Sequence, residues 1–118
     1  SYAGKTYWKS AVESQFIAPL SSDDSYGLGW RRVGAKHSYA PFGHYASNLA
    51  YGHTGWTGTV TLIDPKYNLI IVLLTNKKHS PYRNGQFAGD GFATGKYAPI
   101  IDLIYQALPE TQSFPTTK

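Results

Sequence analysis

Tyr51-Gly52-His53-Thr54-Gly55-Trp56-Thr57-Gly58-Thr59-Val60-Thr61-Leu62-Ile63-Asp64-Pro65-Lys66-Tyr67-Asn68-Leu69-Ile70-Ile71-Val72-Leu73-Leu74 decides the fold. From Thr57 to Ile63, threonines alternate with larger or apolar residues, the period of a half-buried strand. Asp64 to Asn68 reads as a turn, with Pro65 fixing φ and Asp64 and Asn68 offering local hydrogen bonds. Leu69 to Leu74 is short and continuously apolar, which predicts a strand covered on both faces and the most buried element of the chain.

Upstream, Trp8, Ala11, Val12 and Phe16 recur at helical spacing, predicting an amphipathic helix over Tyr7 to Ile17 that Pro19 stops. Tyr26-Gly27-Leu28-Gly29-Trp30 followed by Arg31-Arg32-Val33 reads as a short strand, its glycines marking close approach of another backbone. Gly34 to Asn48 is a long loop or irregular hairpin, and Lys77 to Thr94, rich in Gly, Asn, Pro and Ser, is a second loop. A closing helix is expected from Ala98 to Leu108, with Pro99 in its first turn and Ile100, Leu103, Ile104, Ala107 and Leu108 along one face. The fold class is therefore α+β, an antiparallel sheet of three to four strands flanked by N- and C-terminal helices. The whole of 1–118 is one segment, ordered over 7–108, with a polar tail over 110–118.

The 118 residues suffice for one core. Ten Tyr, three Trp and five Phe favour strands, pockets and interfaces. The net charge of +4 comes from scattered residues with short clusters such as Arg31-Arg32 and Lys36-His37, so nucleic acid is not the expected partner. The absence of Cys excludes disulfides and thiolate metal sites, and His37, His44 and His53 are too irregularly spaced for a helix-borne metal site. No apolar stretch approaches the length of a membrane span. A chain with no Met at all reads as a piece of something longer or a recombinant segment.

Taken in order, Tyr26 to Trp30, His53 to Thr59 with its Ile63-Asp64-Pro65 exit, and Leu73-Leu74-Thr75-Asn76 resemble the last third of the penicillin-recognising serine hydrolases, in the class C beta-lactamase-like branch. The resemblance spans residues 7 to 108 and implies the C-terminal part of a beta-lactamase-like α/β sandwich. It places the third active-site motif, Lys-Thr-Gly or His-Thr-Gly, at His53-Thr54-Gly55. His53 and Thr54 would then face the substrate, Gly55 would let the substrate backbone approach, and the Trp56 main-chain amide would serve the oxyanion. Asn76, Lys78 and His79 lie where related enzymes hold residues near the substrate carboxylate, although a plain solvated loop also accounts for them.

The family's nucleophile is the Ser of a Ser-x-x-Lys motif, and no Ser in this chain has Lys three positions on. The second motif, Tyr-x-Asn or Ser-x-Asn, also finds no match: Ser22-Asp23-Asp24 ends on the wrong residue, and Tyr45-Ala46-Ser47 lies too close to His53. The resemblance thus implies that an N-terminal remainder supplies nucleophile and base, with a small acyl substrate (a D-alanyl peptide, ester or beta-lactam), no cofactor, and an extracytoplasmic or cell-surface setting. His53 in place of Lys makes an anionic substrate tail less obligatory, because imidazole is mostly neutral at pH 7, and this favours an esterase or D-amino-acid hydrolase over a dedicated beta-lactamase. Two other readings stay open: a non-catalytic cell-wall or peptide-binding module of the same fold, and a fragment whose open sheet pairs with another chain. For the isolated segment a homodimer is expected, by edge-to-edge pairing at Leu69 to Leu74 or by exchange of an element.

Overall fold

The computed structural model describes residues 3–20, 23–34, 39–76, 82–84, 86–87 and 97–109. Its centre is a four-stranded antiparallel sheet in the spatial order β1 (Arg31–Arg32), β2 (Tyr51–Thr54), β3 (Val60–Asp64), β4 (Leu69–Leu73). Helix α1 (Ser10–Ile17) precedes it and α2 (Ala98–Gln106) follows. A separate two-stranded ladder, β5 (Tyr82–Arg83) with β6 (Gln86–Phe87), lies inside the segment expected to be loop.

The decisive stretch divides into three strands. After Thr54 the chain turns back, Gly55 N–H donating to Thr59 O at 2.8 Å and Gly58 N–H to Gly55 O at 3.0 Å. Gly58 takes φ +89°, a left-handed conformation that glycine adopts without steric cost. From Val60 the predicted alternation holds, with Val60, Leu62 and Asp64 buried and Thr61 and Ile63 partly exposed. The Asp64 to Asn68 turn is a 3₁₀ turn over Pro65–Tyr67 closed by Asn68 at φ +48°.

Register fixes which side chains share a face. Gly52, Leu62 and Ile71 stand across from one another, as do Thr54, Val60 and Leu73, while Tyr51, Ile63 and Ile70 and then His53, Thr61 and Val72 occupy the opposite face. The first face carries the core: Val60, Leu62 and Ile71 pack with Phe42, Tyr67, Ile101 and Tyr105. Each fully buried aliphatic side chain in this cluster contributes about 1.5–3 kcal/mol of transfer free energy. Gly52 is required here, because a Cβ would lie 2.9 Å from the Phe42 ring and 3.0 Å from the Leu62 backbone.

Four expectations need correction. β4 is not covered on both faces: it is the edge strand, only Ile71 is buried, and Ile70 and Val72 remain 68% and 56% exposed. β3, paired on both sides, is the most buried strand instead. A continuous apolar run states what a strand tolerates, not which neighbours it has.

α1 starts at Ser10 rather than Tyr7, and none of its residues is buried. The apolar spacing is real, and Trp8, Val12 and Phe16 line an open cavity of about 390 Å³ against Trp30, Tyr51 and Ile63. Nothing among the described residues closes that cavity.

The Tyr26 to Trp30 stretch is a tight turn rather than an extended strand, Gly27 N–H donating to Trp30 O at 3.0 Å and Tyr26 bridging to Arg31. The close approach inferred from its glycines is present at Gly27, where a Cβ would sit 2.6 Å from Phe16 O.

In α2 the inward pair is Ile101 and Tyr105, both fully buried, whereas Ile100 and Leu103 of the expected stripe are exposed. Ile104 and Leu108 of that stripe pack at the core margin, and Pro99 occupies the first turn as expected. The tail over 110–118 lies outside the described residues.

Candidate functional site

His53 and Thr54 close β2 at an edge of the sheet. The β1 ladder pairs only with Tyr51 and Gly52, so β2 runs two residues past the end of its outer neighbour. Successive side chains leave a strand on opposite faces, which puts His53 on the open face and Thr54 on the core face. A single ligand touching both must therefore lie along the strand edge rather than over either face.

The His53 ring is exposed, and its Nδ1 lies 2.8 Å from the Thr54 carbonyl oxygen. A carbonyl can only accept, so Nδ1 carries the proton in this contact and Nε2 is the acceptor of the neutral ring. The Thr54 hydroxyl lies 3.1 Å from the Tyr39 hydroxyl. Gly55 uses its N–H on Thr59, and a Cβ at Gly55 would run into Thr59 Oγ1, so the hairpin itself requires a glycine there. Trp56 opens the turn with its side chain 73% exposed. Thr75 Oγ1 donates to Thr57 O at 2.8 Å, fastening the end of β4 to that turn, and the exposed Asn76 follows directly. Lys78 and His79 lie outside the described residues, as do Lys36, His37 and Ser22.

The structure shows a polar centre that sequence reasoning missed. Asp64, read as a turn residue, is fully buried on the core face. Its Oδ1 accepts from Ser47 Oγ at 2.6 Å and Lys66 N–H at 3.1 Å, and its Oδ2 from Ser47 N–H at 2.9 Å and the Tyr105 hydroxyl at 2.7 Å. The signal was available: Val60, Leu62 and Asp64 share one parity along β3, so the alternation that buries the first two also buries the third. Burial, and then the Asp64 hydrogen bond and charge, hold the Tyr105 phenol far above its ordinary range. Burial, with the charge of Glu13 second, also raises Tyr51.

This centre disposes of Tyr45-Ala46-Ser47 as a second motif. Ser47 is buried and committed to Asp64, and the Tyr45 hydroxyl accepts from Gln106 Nε2 at 3.1 Å. In the other near match, Asp23 Oδ1 accepts from Ser25 N–H at 2.9 Å and Ser25 Oγ at 2.5 Å, a local turn. His44 is also occupied, its Nδ1 2.7 Å from Asp102 Oδ2 and its main-chain N–H 2.6 Å from Oδ1, tying the loop to α2. Among the described residues no group of three or more His, Asp or Glu could hold a metal, and no helix is long and apolar enough to cross a membrane.

The chain is 49% identical over 113 residues to the N-acetylmuramyl-L-alanine amidase of Bacillus subtilis (strain 168), covering 92% of this chain and 26% of that protein. It is 38% identical over 114 residues to a putative D-alanyl-D-alanine carboxypeptidase of Escherichia coli (strain K12), with the same coverage. A protein of the same description from Salmonella gallinarum (strain 287/91 / NCTC 13346) is 42% identical over 112 residues, covering 91% of this chain and 26% of the relative. The chain thus spans about a quarter of the length of these relatives. No solved structure matches it significantly. The family model described as Beta-lactamase matches residues 8–93, from the segment just before α1 through the His53 hairpin and β4, and on that match the chain belongs to the beta-lactamase family.

Proposed function

We propose that this chain is the C-terminal part of a serine acyl hydrolase, contributing the His53-Thr54-Gly55 strand and the Trp56 main-chain amide to a site whose nucleophile, Ser-x-x-Lys lysine and second-motif base come from upstream sequence. The observation that carries the reading is the placement of His53 and Thr54 on a strand edge beyond β1, at the start of a tight hairpin, in a chain of this family. An edge is where an extended acyl substrate can meet both side chains and the main chain of the strand. The names of the relatives, an amidase and carboxypeptidases, favour an amide such as a D-alanyl peptide over an ester.

In this reading His53 orients the substrate or shuttles a proton through Nε2. In the full-length protein His53→Ala should lower kcat/KM by about 1–3 kcal/mol of transition-state free energy, the range for an oriented or charge-assisted hydrogen bond. His53→Lys should favour anionic substrates. Steady-state kinetics on D-alanyl amides and esters decides the matter: unchanged turnover of all of them by His53→Ala removes the assignment.

The outer side of β4 belongs to the same proposal. Ile70, Val72 and Leu74 are exposed beside an open ladder, which presents main-chain groups for pairing. In isolation the chain should form a homodimer through this edge, and Ile71→Lys, which places a charge in the core, should damage folding and association together. Sedimentation showing a monodisperse monomer at high micromolar concentration, with the β4 amides protected from exchange, would count against it.

A further inference from the structure

Resting on the assignment of Thr54 to the substrate site, we propose that Tyr39 is the residue that positions Thr54, through a hydroxyl-to-hydroxyl hydrogen bond that fixes which way the Thr54 proton points. Tyr39 is 15 positions upstream in an irregular loop, yet its hydroxyl lies 3.1 Å from Thr54 Oγ1. Both side chains are partly buried, so the bond is shielded from the solvent competition that weakens exposed ones.

The tyrosine ring is held from two directions. Its contact with the fully buried Phe42 is edge-on, centroids 4.7 Å apart at 77°. The Arg31 guanidinium lies 5.3 Å from its centroid and 3.9 Å from that of Tyr26. Arg31 stands opposite Gly52 in the β1–β2 register, two residues before Thr54 on β2. The hydroxyl of Tyr39 thus reaches β2 just beyond the point where β1 stops pairing.

Direction follows from chemistry. Each hydroxyl has one proton, and a phenol is the better donor of the two. When Tyr39 donates to Thr54 Oγ1, the threonine proton is left to donate onward to an acceptor oxygen of a substrate along the strand edge, and the chained bonds polarise one another. Without Tyr39, the Thr54 hydroxyl can rotate and point its proton elsewhere.

The test is a double-mutant cycle in the full-length protein, with Tyr39→Phe, Thr54→Val and the pair, reading kcat and KM separately alongside thermal melting. Tyr39→Phe keeps the ring and its packing on Phe42 and Arg31 and removes only the hydroxyl. It should lower kcat/KM roughly three- to tenfold, the range for one neutral hydrogen bond. The loss should fall on KM, because the substrate acceptor is present before reaction. A merely structural loosening would instead lower the active fraction, and with it kcat, at unchanged KM. The double variant should be no worse than Thr54→Val alone.

A damaging Thr54→Val with a silent Tyr39→Phe, or with two effects that multiply, overturns the positioning role while leaving the site assignment standing. A silent Thr54→Val removes the site assignment and this proposal with it.

Discussion

Asp64→Ala should lower the stability of this fold by about 3–4 kcal/mol, because it leaves buried donors without an acceptor as well as opening a cavity. The carboxylate is fully buried, and its four donors come from three separate places: the loop at Ser47, the turn at Lys66 and helix α2 through Tyr105. Alanine cannot accept from any of them, and the buried Ser47 and Tyr105 groups have no ready route to water. Against the 5–15 kcal/mol total typical of a domain, such a loss leaves a substantial unfolded population. Asp64→Asn should cost less, since its carbonyl oxygen still accepts while its NH2 faces donors. Tyr105→Phe should cost about 1.5–3 kcal/mol, the loss of one bond to a carboxylate acceptor.

Urea unfolding followed by fluorescence measures these differences, and an Asp64→Ala midpoint near that of the original chain would show that the donors find other acceptors. The same centre sets an alkaline limit. The Tyr105 phenol is raised in the folded state, so its contribution is complete below the ordinary phenol pKa of about 10. Above that pH the unfolded chain gives up its proton first and stability falls, with Tyr51 acting in the same direction.

On the proposed reading, the largest functional effect is expected from joining this chain to an N-terminal remainder that supplies nucleophile and base. Alone, it should neither hydrolyse a chromogenic cephalosporin or a p-nitrophenyl ester nor be labelled by a serine-directed fluorophosphonate. No Ser here precedes Lys by three, and Ser47, the buried serine among the described residues, is bound to Asp64. Restoring a nucleophile and its base to the strand edge should raise turnover by at least about 10⁴-fold, since triad-type machinery is worth that or more. Intact mass after labelling and initial rates on the same substrates give the answer. Stoichiometric labelling of any Ser in the isolated chain would sink the division of labour, and so would an upstream sequence that carries Ser-x-x-Lys yet confers no turnover when joined.

The β3 alternation, the turn at Pro65 and the closing helix were legible in the residues, because strand and helix periods are properties of the local backbone and need no knowledge of what packs across; the family was legible through the resemblance of its ordered motifs. The strand that ends at His53-Thr54 was legible, although the turn after it was hidden in a run of Thr and Gly that also suits an uninterrupted strand. Burial is a different quantity. Leu69 to Leu74 and the α1 stripe carry the right pattern, but exposure depends on a neighbour, and β4 lies at an edge while α1 faces an open cavity. The same holds for the polar pairs: Asp64 with Ser47 and Tyr105, Thr54 with Tyr39, and His44 with Asp102 join residues 15 to 58 positions apart. No local spacing encodes those partners. They follow from the register of the sheet and the seating of α2; for Asp64 with Ser47 and Tyr105, buried donors and acceptors must find one another wherever the packing brings them, while the exposed His44 meets Asp102 only because its loop lies against α2.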